Sequence, residues 1–218
     1  MQRDANQKIT KRTDNQEFYY ESVAGKLLGS VAREKLIEKE FLKIKKDQVF
    51  LEVGCAQGYY LSKALKQTKK VFGIDVIDEF IVAAKKTGAN VKVASATKLP
   101  YKNNSYDIVL CTETLEHVKD WEKAVSEIKR VLRPKGHAII TIPLEWSFFW
   151  KFFSIIYNPE KTRGHVSLLT ATQMEKEFLP LKLKERKFVQ TPCITANKVI
   201  PQWEGISMYA FFVFEKVK

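Results

Sequence analysis

The segment from Val49 to Leu61, VFLEVGCAQGYYL, restricts the fold of this chain more than any other. Apolar β-forming residues lead to Glu52, two glycines follow at positions 54 and 58, and an apolar run comes next. Glycine adopts backbone angles that other residues avoid and lets a ligand approach without a Cβ atom in the way. A helix after the second glycine would present unpaired backbone N–H groups. The segment therefore predicts a strand, a tight ligand-binding loop and a helix.

Strand-like and helix-like segments alternate along most of the remaining chain. Asp120 is the predicted cap of one helix, and Thr172 with Glu175 predicts a capping box for another. Strands are predicted at 48–53, 70–75, 90–94, 106–111, 137–142, 182–189 and 207–215, and helices at 58–67, 78–87, 120–132 and 172–178. The alternation predicts an α/β fold with a doubly wound, mostly parallel, seven-stranded Rossmann-like sheet and helices on both faces.

The length of 218 residues fits one domain with an ordinary core. Residues 1–16 are polar and are predicted to be a flexible tail, and residues 17–218 a single domain. Within it we expect an N-terminal helical cover at 17–45 and a lid or insertion at 144–165, after the fifth strand. No apolar run of about 18 residues predicts a membrane span, and the polar start resembles no signal peptide.

The cysteines and the charge restrict the setting and the partners. The three cysteines are far apart and form no metal-binding motif, which favours a reduced, cytoplasmic setting and no metal site. The net charge of +12 is spread evenly, with an excess of +3 in residues 1–47, +5 in 48–142 and +4 in 143–218. Because nucleic-acid surfaces concentrate charge on one face, a nucleic-acid partner is an alternative that the sequence does not favour.

A nucleoside is the ligand that the residues around the glycine loop favour. Asp75 closes the second predicted strand, where its carboxylate can accept hydrogen bonds from both hydroxyls of a ribose. The dinucleotide fingerprint GxGxxG, read from Gly54, requires glycines where this chain has Ala56 and Tyr59. The loop therefore predicts a nucleoside ligand without a diphosphate.

Four motifs in order resemble the class I S-adenosylmethionine (SAM)-dependent methyltransferases, and most closely their small-molecule branch, which includes quinone-ring methyltransferases. The motifs are LEVGCAQG, GID, ASATKLPYKNNSYDIVLC and EHVKDWEKAVSEIKRVLRPKGHAIITIP. The resemblance covers residues 48–143, with a weaker similarity at 164–178. It implies SAM as the cofactor, S-adenosylhomocysteine (SAH) as the product, and methyl transfer to a small-molecule acceptor.

The resemblance also implies which residues bind the cofactor. The methionine half of SAM would contact five residues, largely through their backbone atoms: Glu52, Gly54, Cys55, Ala56 and Gly58. Asp75 would hold the ribose, Val76 would touch the adenine face, and the backbone N–H of Ala96 would meet the adenine edge. Ser95 stands where many relatives have an aspartate, so it would accept a hydrogen bond without adding charge. Thr112 would lie near the amino-acid end, and Tyr19 or Tyr20 would cover the site.

Three side chains are candidates for a general base, which is needed only if the acceptor must lose a proton. They are His117, His165 and Glu145. His117 matches a position that in this family usually packs under the cofactor loop, and His165 can equally anchor a loop. Glu145 follows the fifth predicted strand, towards the acceptor side, where a solvated carboxylate is an equal alternative.

Residues 146–157 concentrate nine large apolar side chains. If this segment is helical, its polar residues form one narrow stripe and its apolar face is very wide. A lid or core helix, a wall of an apolar acceptor pocket and a shallow membrane contact are all compatible with that pattern, although the segment is too short to cross a bilayer.

The sequence leaves three functions open: methylation of a small apolar or amphipathic molecule, RNA methylation, and cofactor binding without catalysis by a partner subunit. Base-amine methylation favours an (Asp/Asn)-Pro-Pro-aromatic motif after strand four, where this chain has CTETLEH. Cytosine-carbon methylation favours a Pro-Cys pair, but Cys111 follows Leu110. We therefore predict a small-molecule methyltransferase, without predicting the acceptor or the oligomeric state.

Overall fold

The computed structural model describes residues 30–144, 166–189, 207 and 209–217. The predicted tail, part of the predicted cover and the aromatic-rich insertion lie outside these residues. The helices of the described residues are α1 (Ser30–Phe41), α2 (Tyr59–Ala64), α3 (Asp78–Ala84), α4 (Trp121–Val131) and α5 (Ala171–Glu177), with 3₁₀ turns at Lys85–Thr87 and Leu115–His117. The strands are β1 (Val49–Val53), β2 (Lys70–Asp75), β3 (Asn90–Val93), β4 (Tyr106–Thr112), β5 (Leu132–Pro143), β6 (Lys182–Val189) and β7 (Tyr209–Glu215).

The seven strands form one sheet in the order β3-β2-β1-β4-β5-β7-β6. The first five strands pair in parallel, and β7 lies antiparallel between β5 and β6. The predicted fold class is confirmed. Because the chain moves from β1 outward to β3 and then returns to the other side of β1, strand order reverses between β1 and β4. In open α/β sheets, ligands bind beyond the carboxyl ends of the strands at this switch point.

Buried side chains on both faces of the sheet explain why the central strands are apolar. One core cluster joins α4 and α5 to the sheet through residues such as Ile128 and Met174, which are fully buried. The other joins α1, α2 and α3 to the opposite face through Ile37, Leu61 and Ala84. A parallel sheet covered on both faces needs such continuous apolar strands.

Two predicted helix caps are wrong in detail. The capping box of α5 is formed by Thr170 and Gln173, because the helix begins at Ala171 and the predicted Thr172 already lies inside its first turn. Asp120 does occupy the N-cap position of α4, but its side chain makes no capping hydrogen bond. Neighbouring polar residues compete for the cap position, and local sequence does not decide between them.

The ends of several elements also differ from the prediction. The fifth strand begins at Leu132, which pairs with Tyr106 across a register shift, so the RPKG segment lies within the strand. The helix predicted at 58–67 ends at Ala64, and the last turn of the helix predicted at 78–87 is a 3₁₀ turn. None of the helices in the described ranges is long and apolar enough to cross a membrane.

Candidate functional site

The loop between β1 and α2 is held against the end of β2 by its own backbone. The N–H groups of Gly54 and Cys55 both donate to the carbonyl oxygen of Ile74, at 2.9 Å each. The backbone is left-handed at Gly54 (φ 77°), Gly58 (φ 89°) and also at Ala56 (φ 42°). A left-handed alanine is strained, and such strain concentrates at binding loops.

Close packing against the segment after β4 explains why position 54 requires glycine. A Cβ atom at Gly54 would lie 2.3 Å from the Oγ1 atom of Thr114 and 2.6 Å from its Cγ2 atom. The Thr114 hydroxyl lies 2.9 Å from the carbonyl oxygen of Thr112 and 3.3 Å from that of Val53. Thr114 thus joins the end of β4 to the end of β1, and the sequence analysis did not identify it.

Asp75 ends β2 next to the loop, as the sequence predicted. Its Oδ2 atom accepts a hydrogen bond from the N–H of Ala56 at 2.9 Å, and its Oδ1 atom accepts one from Ile77 at 3.1 Å. Carboxylate oxygens accept more than one hydrogen bond each, so this group can also receive ribose hydroxyls. Val76, the predicted contact of the adenine face, follows directly and is exposed.

Glu52 is a buried carboxyl group at the end of β1, with only 2% of its surface exposed. Its Oε2 atom has no hydrogen-bond partner among the described residues. Burial, and then the negative charge of Asp75, raise the pKa of Glu52 well above its ordinary value, and a hydrogen bond from the N–H of Leu61 offsets part of this rise. The site therefore contains an acid whose environment disfavours its charge.

The segment after β3 carries the two residues expected near adenine. The N–H of Ala94 donates to the carbonyl oxygen of Asp75 at 2.9 Å, which holds this segment beside the end of β2. Ala96 is buried, and Ser95 is exposed, with its hydroxyl 2.8 Å from that of Thr97. The Ser95 side chain already has a local partner, so a new ligand contact would compete with it.

The carboxyl ends of β4 and β5 and the beginning of β7 meet around an ion pair that the sequence analysis missed. The Oε2 atom of Glu113 lies 3.1 Å from Nη1 of Arg33, whose side chain is 4% exposed. The Oε1 atom of Glu113 accepts a hydrogen bond from the hydroxyl of Thr141 at 2.9 Å. The guanidinium of Arg33 also lies 4.6 Å from the ring centre of Tyr209. We call these four residues the acceptor-side cluster.

Glu113 lies between two positions that adjoin the loop. Thr112, a predicted cofactor contact, precedes it at the end of β4, and Thr114, which packs on Gly54, follows it. The backbone of Glu113 is left-handed, with φ 47°. The rule that ligands bind at the carboxyl ends of strands could have identified Glu113 from the sequence. No local signal identifies Arg33, because it lies in a helix far away in the chain.

Helix α1 holds the other side of the site through Glu34, the neighbour of Arg33. Glu34 accepts hydrogen bonds from the hydroxyls of Tyr59 (3.1 Å) and Tyr60 (2.7 Å) and from the ammonium of Lys63 (2.6 Å). All three donors lie in α2, directly after the glycine loop. Consecutive residues of α1 therefore contact the cofactor-loop side and the acceptor-side cluster.

His117 is the one predicted base among the described residues, and it is not part of the acceptor-side cluster. His117 is exposed in the 3₁₀ turn after β4, which differs from a position packed under the loop. Glu145, His165 and Tyr20 lie outside the described residues, and so does the aromatic segment 146–157. Across the described ranges, no group of three or more acidic, histidine or cysteine side chains could hold a metal ion.

A cleft of about 480 Å³ lies at the opposite end of the sheet, lined by Lys129, Arg130 and Lys216 among others. Each of these cations already has protein partners. Lys129 donates to the carbonyl oxygen of Glu177, Arg130 pairs with Glu127, and Lys216 donates to the carbonyl oxygen of Leu132 at 2.8 Å. The three cations that the structure describes in this cleft are therefore already paired, and the candidate site remains at the carboxyl ends of the strands.

Comparison with known proteins shows which proteins the chain resembles. Residues 51–140 match the model of a methyltransferase domain family. An uncharacterized protein of Methanocaldococcus jannaschii is 34% identical over 203 residues, which cover 87% of this chain and 85% of the relative. A demethylmenaquinone methyltransferase of Staphylococcus aureus is 30% identical over 149 residues, which cover 59% of this chain and 62% of that enzyme. A SAM-dependent methyltransferase structure from Thermotoga maritima has a TM-score of 0.67 at 18% identity, covering 93% of this chain and 95% of that chain.

Proposed function

The chain belongs to the class I SAM-dependent methyltransferases, and from that premise we propose that it methylates a small apolar or amphipathic molecule through a hydroxyl or amine group. The observation that carries the proposal is the acceptor-side cluster. It places one fixed carboxylate, Glu113, beside the cofactor loop, with a side chain that is 25% exposed.

The residues at the loop fit the cofactor. Gly54 and Gly58 leave the backbone accessible, Asp75 provides a carboxylate for the ribose, and Glu52 provides a buried acid without a full set of partners. When bound, SAM supplies an activated sulfonium methyl group that a nucleophile attacks in line, and SAH is the product. Most of the rate then depends on positioning and on excluding water, because the protein forms no covalent bond.

Glu113 supplies the one proton acceptor that such a reaction needs. Its two oxygens are fixed by Arg33 and Thr141, so its carboxylate has a defined orientation at the edge of the sheet. A hydroxyl or amine acceptor would donate its hydrogen to this carboxylate as the new bond to the methyl carbon forms, and the proton would then pass to water. General-base assistance of this kind contributes about 10²–10⁴-fold.

Two further observations support an apolar acceptor. β5 ends at Pro143, at the same edge of the sheet, and residues 146–157, which follow soon after it in the sequence, include nine large apolar side chains. The demethylmenaquinone methyltransferase of Staphylococcus aureus, by its name, acts on a quinone-type molecule. The net charge of +12 is the one feature that favours RNA instead.

A methyl-transfer assay with labelled SAM distinguishes these acceptors. The panel contains quinols, phenols and lipids on one side and bulk tRNA on the other, each at low and moderate salt. Transfer to a quinol or phenol with little salt dependence supports the proposal. Transfer to tRNA that weakens steeply with salt would overturn it, because each neutralised phosphate releases a counterion.

The Glu113→Gln variant tests the role of the carboxylate with the acceptor found in that panel. We expect kcat to fall roughly a hundredfold or more while SAM affinity stays within about threefold. The matched control is Glu122→Gln, an exposed glutamate in the first turn of α4, which should leave both unchanged. Thermal unfolding of the same samples separates lost chemistry from lost folding. An unchanged kcat would refute this role for Glu113.

A further inference from the structure

Glu52 is more buried than Glu34, Asp75 and Glu113. Its carboxyl group is 2% exposed, and Oε2 has no hydrogen-bond partner among the described residues. A buried polar atom without a partner costs about 1–3 kcal/mol, so native structures rarely keep one without a reason. Only Val53 separates Glu52 from Gly54 in the sequence, so the position of Glu52 points to a ligand at the loop.

The charges around Glu52 are unfavourable for a carboxylate. Asp75 of β2 and Glu34 of α1 both raise its pKa, after the larger effect of burial. The nearby cation Lys63 is paired with Glu34 and Glu38, at 2.6 Å each. Among the described residues, four titratable groups influence Glu52 or are influenced by it: Glu34 in α1, Cys55 in the loop, Asp75 in β2 and Cys111 in β4.

A bound cation would reverse this balance. The methionine half of SAM carries an ammonium group, and SAM also carries a positive sulfonium. An opposite charge close to a carboxyl group favours its ionised form, and a hydrogen bond from an ammonium would supply the partner that Oε2 lacks. The charged form of Glu52 is therefore unfavourable in the free protein and favourable when a cationic ligand lies at the loop.

We propose that Glu52 holds a proton in the free protein and releases it when the methionine end of the cofactor binds, so that cofactor binding is coupled to proton release. The O–H bond of the carboxylic acid breaks, the proton passes to the buffer, and the carboxylate pairs with the ligand ammonium. The coupling rests on cofactor binding alone and is independent of which molecule accepts the methyl group.

Calorimetry in buffers with different ionisation enthalpies measures the protons released on binding. With SAM and with SAH we expect a release approaching one proton per site, because both carry the ammonium. With 5′-methylthioadenosine, which lacks the amino-acid half, we expect none. Affinity for SAM should rise by up to about tenfold per pH unit while free Glu52 remains protonated.

Two variants separate the proton released by Glu52 from any proton released by the ligand itself. Glu52→Gln should bind SAM more weakly and without the Glu52 part of the proton release. Glu79→Gln, an exposed glutamate in the first turn of α3, should retain the release of the wild-type protein. A release that persists unchanged in Glu52→Gln, or that is absent in the wild type, would overturn the proposal.

Infrared spectroscopy of the wild-type protein tests the same idea without any variant. A carbonyl band of a protonated carboxyl group should be present in the free protein at neutral pH and disappear when SAM is added. The absence of any such change on SAM binding would also contradict the proposal. No methyl acceptor is used in either experiment, so the outcome does not depend on the proposed acceptor class.

Discussion

Replacing Gly54 with alanine should damage this protein far more than the loss of one flexible residue would suggest. The left-handed φ of 77° alone costs about 1–2 kcal/mol for a residue with a Cβ atom. The new methyl group would lie 2.3 Å from Oγ1 of Thr114, so Thr114 must move. The move sacrifices a hydrogen bond to the carbonyl oxygen of Thr112, about 1 kcal/mol, and overpacking adds about 1–3 kcal/mol. We expect a total of about 3–6 kcal/mol, which lowers Tm by roughly 6–24 °C in a chain of this size.

Gly88 provides the matched control for this prediction. Its φ is also left-handed, at 87°, but a Cβ atom there would meet no other atom within 4 Å. Gly88→Ala should therefore cost only the backbone part, about 1–2 kcal/mol. Thermal unfolding followed by circular dichroism measures the stability of both variants. Calorimetry measures their affinity for SAM, which we expect to fall only in Gly54→Ala. The double variant Gly54→Ala/Thr114→Ala should recover part of the stability. Equal losses at the two glycines would refute the argument from close packing.

The other predictions concern four different features of the site. Asp75→Ala should weaken SAM binding roughly a hundredfold or more in calorimetry, because it removes a charged acceptor of ~1.5–3 kcal/mol per hydrogen bond. Ser95→Ala should weaken SAM binding less than tenfold. Equal losses of affinity from the Asp75 and Ser95 substitutions would contradict the ribose contact that we expect for Asp75. Glu34→Gln should lower Tm by several degrees, because the hydroxyls of Tyr59 and Tyr60 and the ammonium of Lys63 lose a charged acceptor. An unchanged Tm would show that these hydrogen bonds contribute little to stability. Burial raises the pKa of the Cys55 and Cys111 thiols, so neither should react with a thiol reagent near neutral pH until the protein unfolds; rapid labelling of either in the folded protein would contradict their burial.

The pH dependence of stability follows from Glu52 with a defined sign. Its pKa in the folded protein is raised above the ordinary value of 4.5, so the folded state holds a proton that the unfolded chain has lost. Stability of the free protein should therefore fall as pH rises from about 4.5 towards the raised pKa. Denaturant titrations of the wild type and of Glu52→Gln over this range measure the difference. A steeper fall in the variant would show that the sign is wrong.

Local patterns in the sequence were enough for the architecture and for the position of Asp75 beside the glycine loop. Continuous apolar strands alternating with amphipathic helices require a sheet covered on both faces, and the sheet has that form. The glycine loop and Asp75 each follow a strand directly, so the rule for carboxyl ends places them together without knowledge of any long-range contact. Helix ends were less certain, since Thr170 and Thr172 are equally good caps and only the folded chain selects one.

Contacts between distant segments decided what the sequence could not. Thr114 explains why Gly54 cannot carry a side chain, and Arg33 of α1 meets Glu113 only because α1 lies against the end of β4 and the beginning of β7. Glu52 is an ordinary acid in the sequence, and its raised pKa results from burial next to Asp75. Periodicity records which faces of an element are apolar, and so it determines the layers of the fold. Charge state and side-chain contacts depend on desolvation and on partners from other elements, which arise only when the chain has folded.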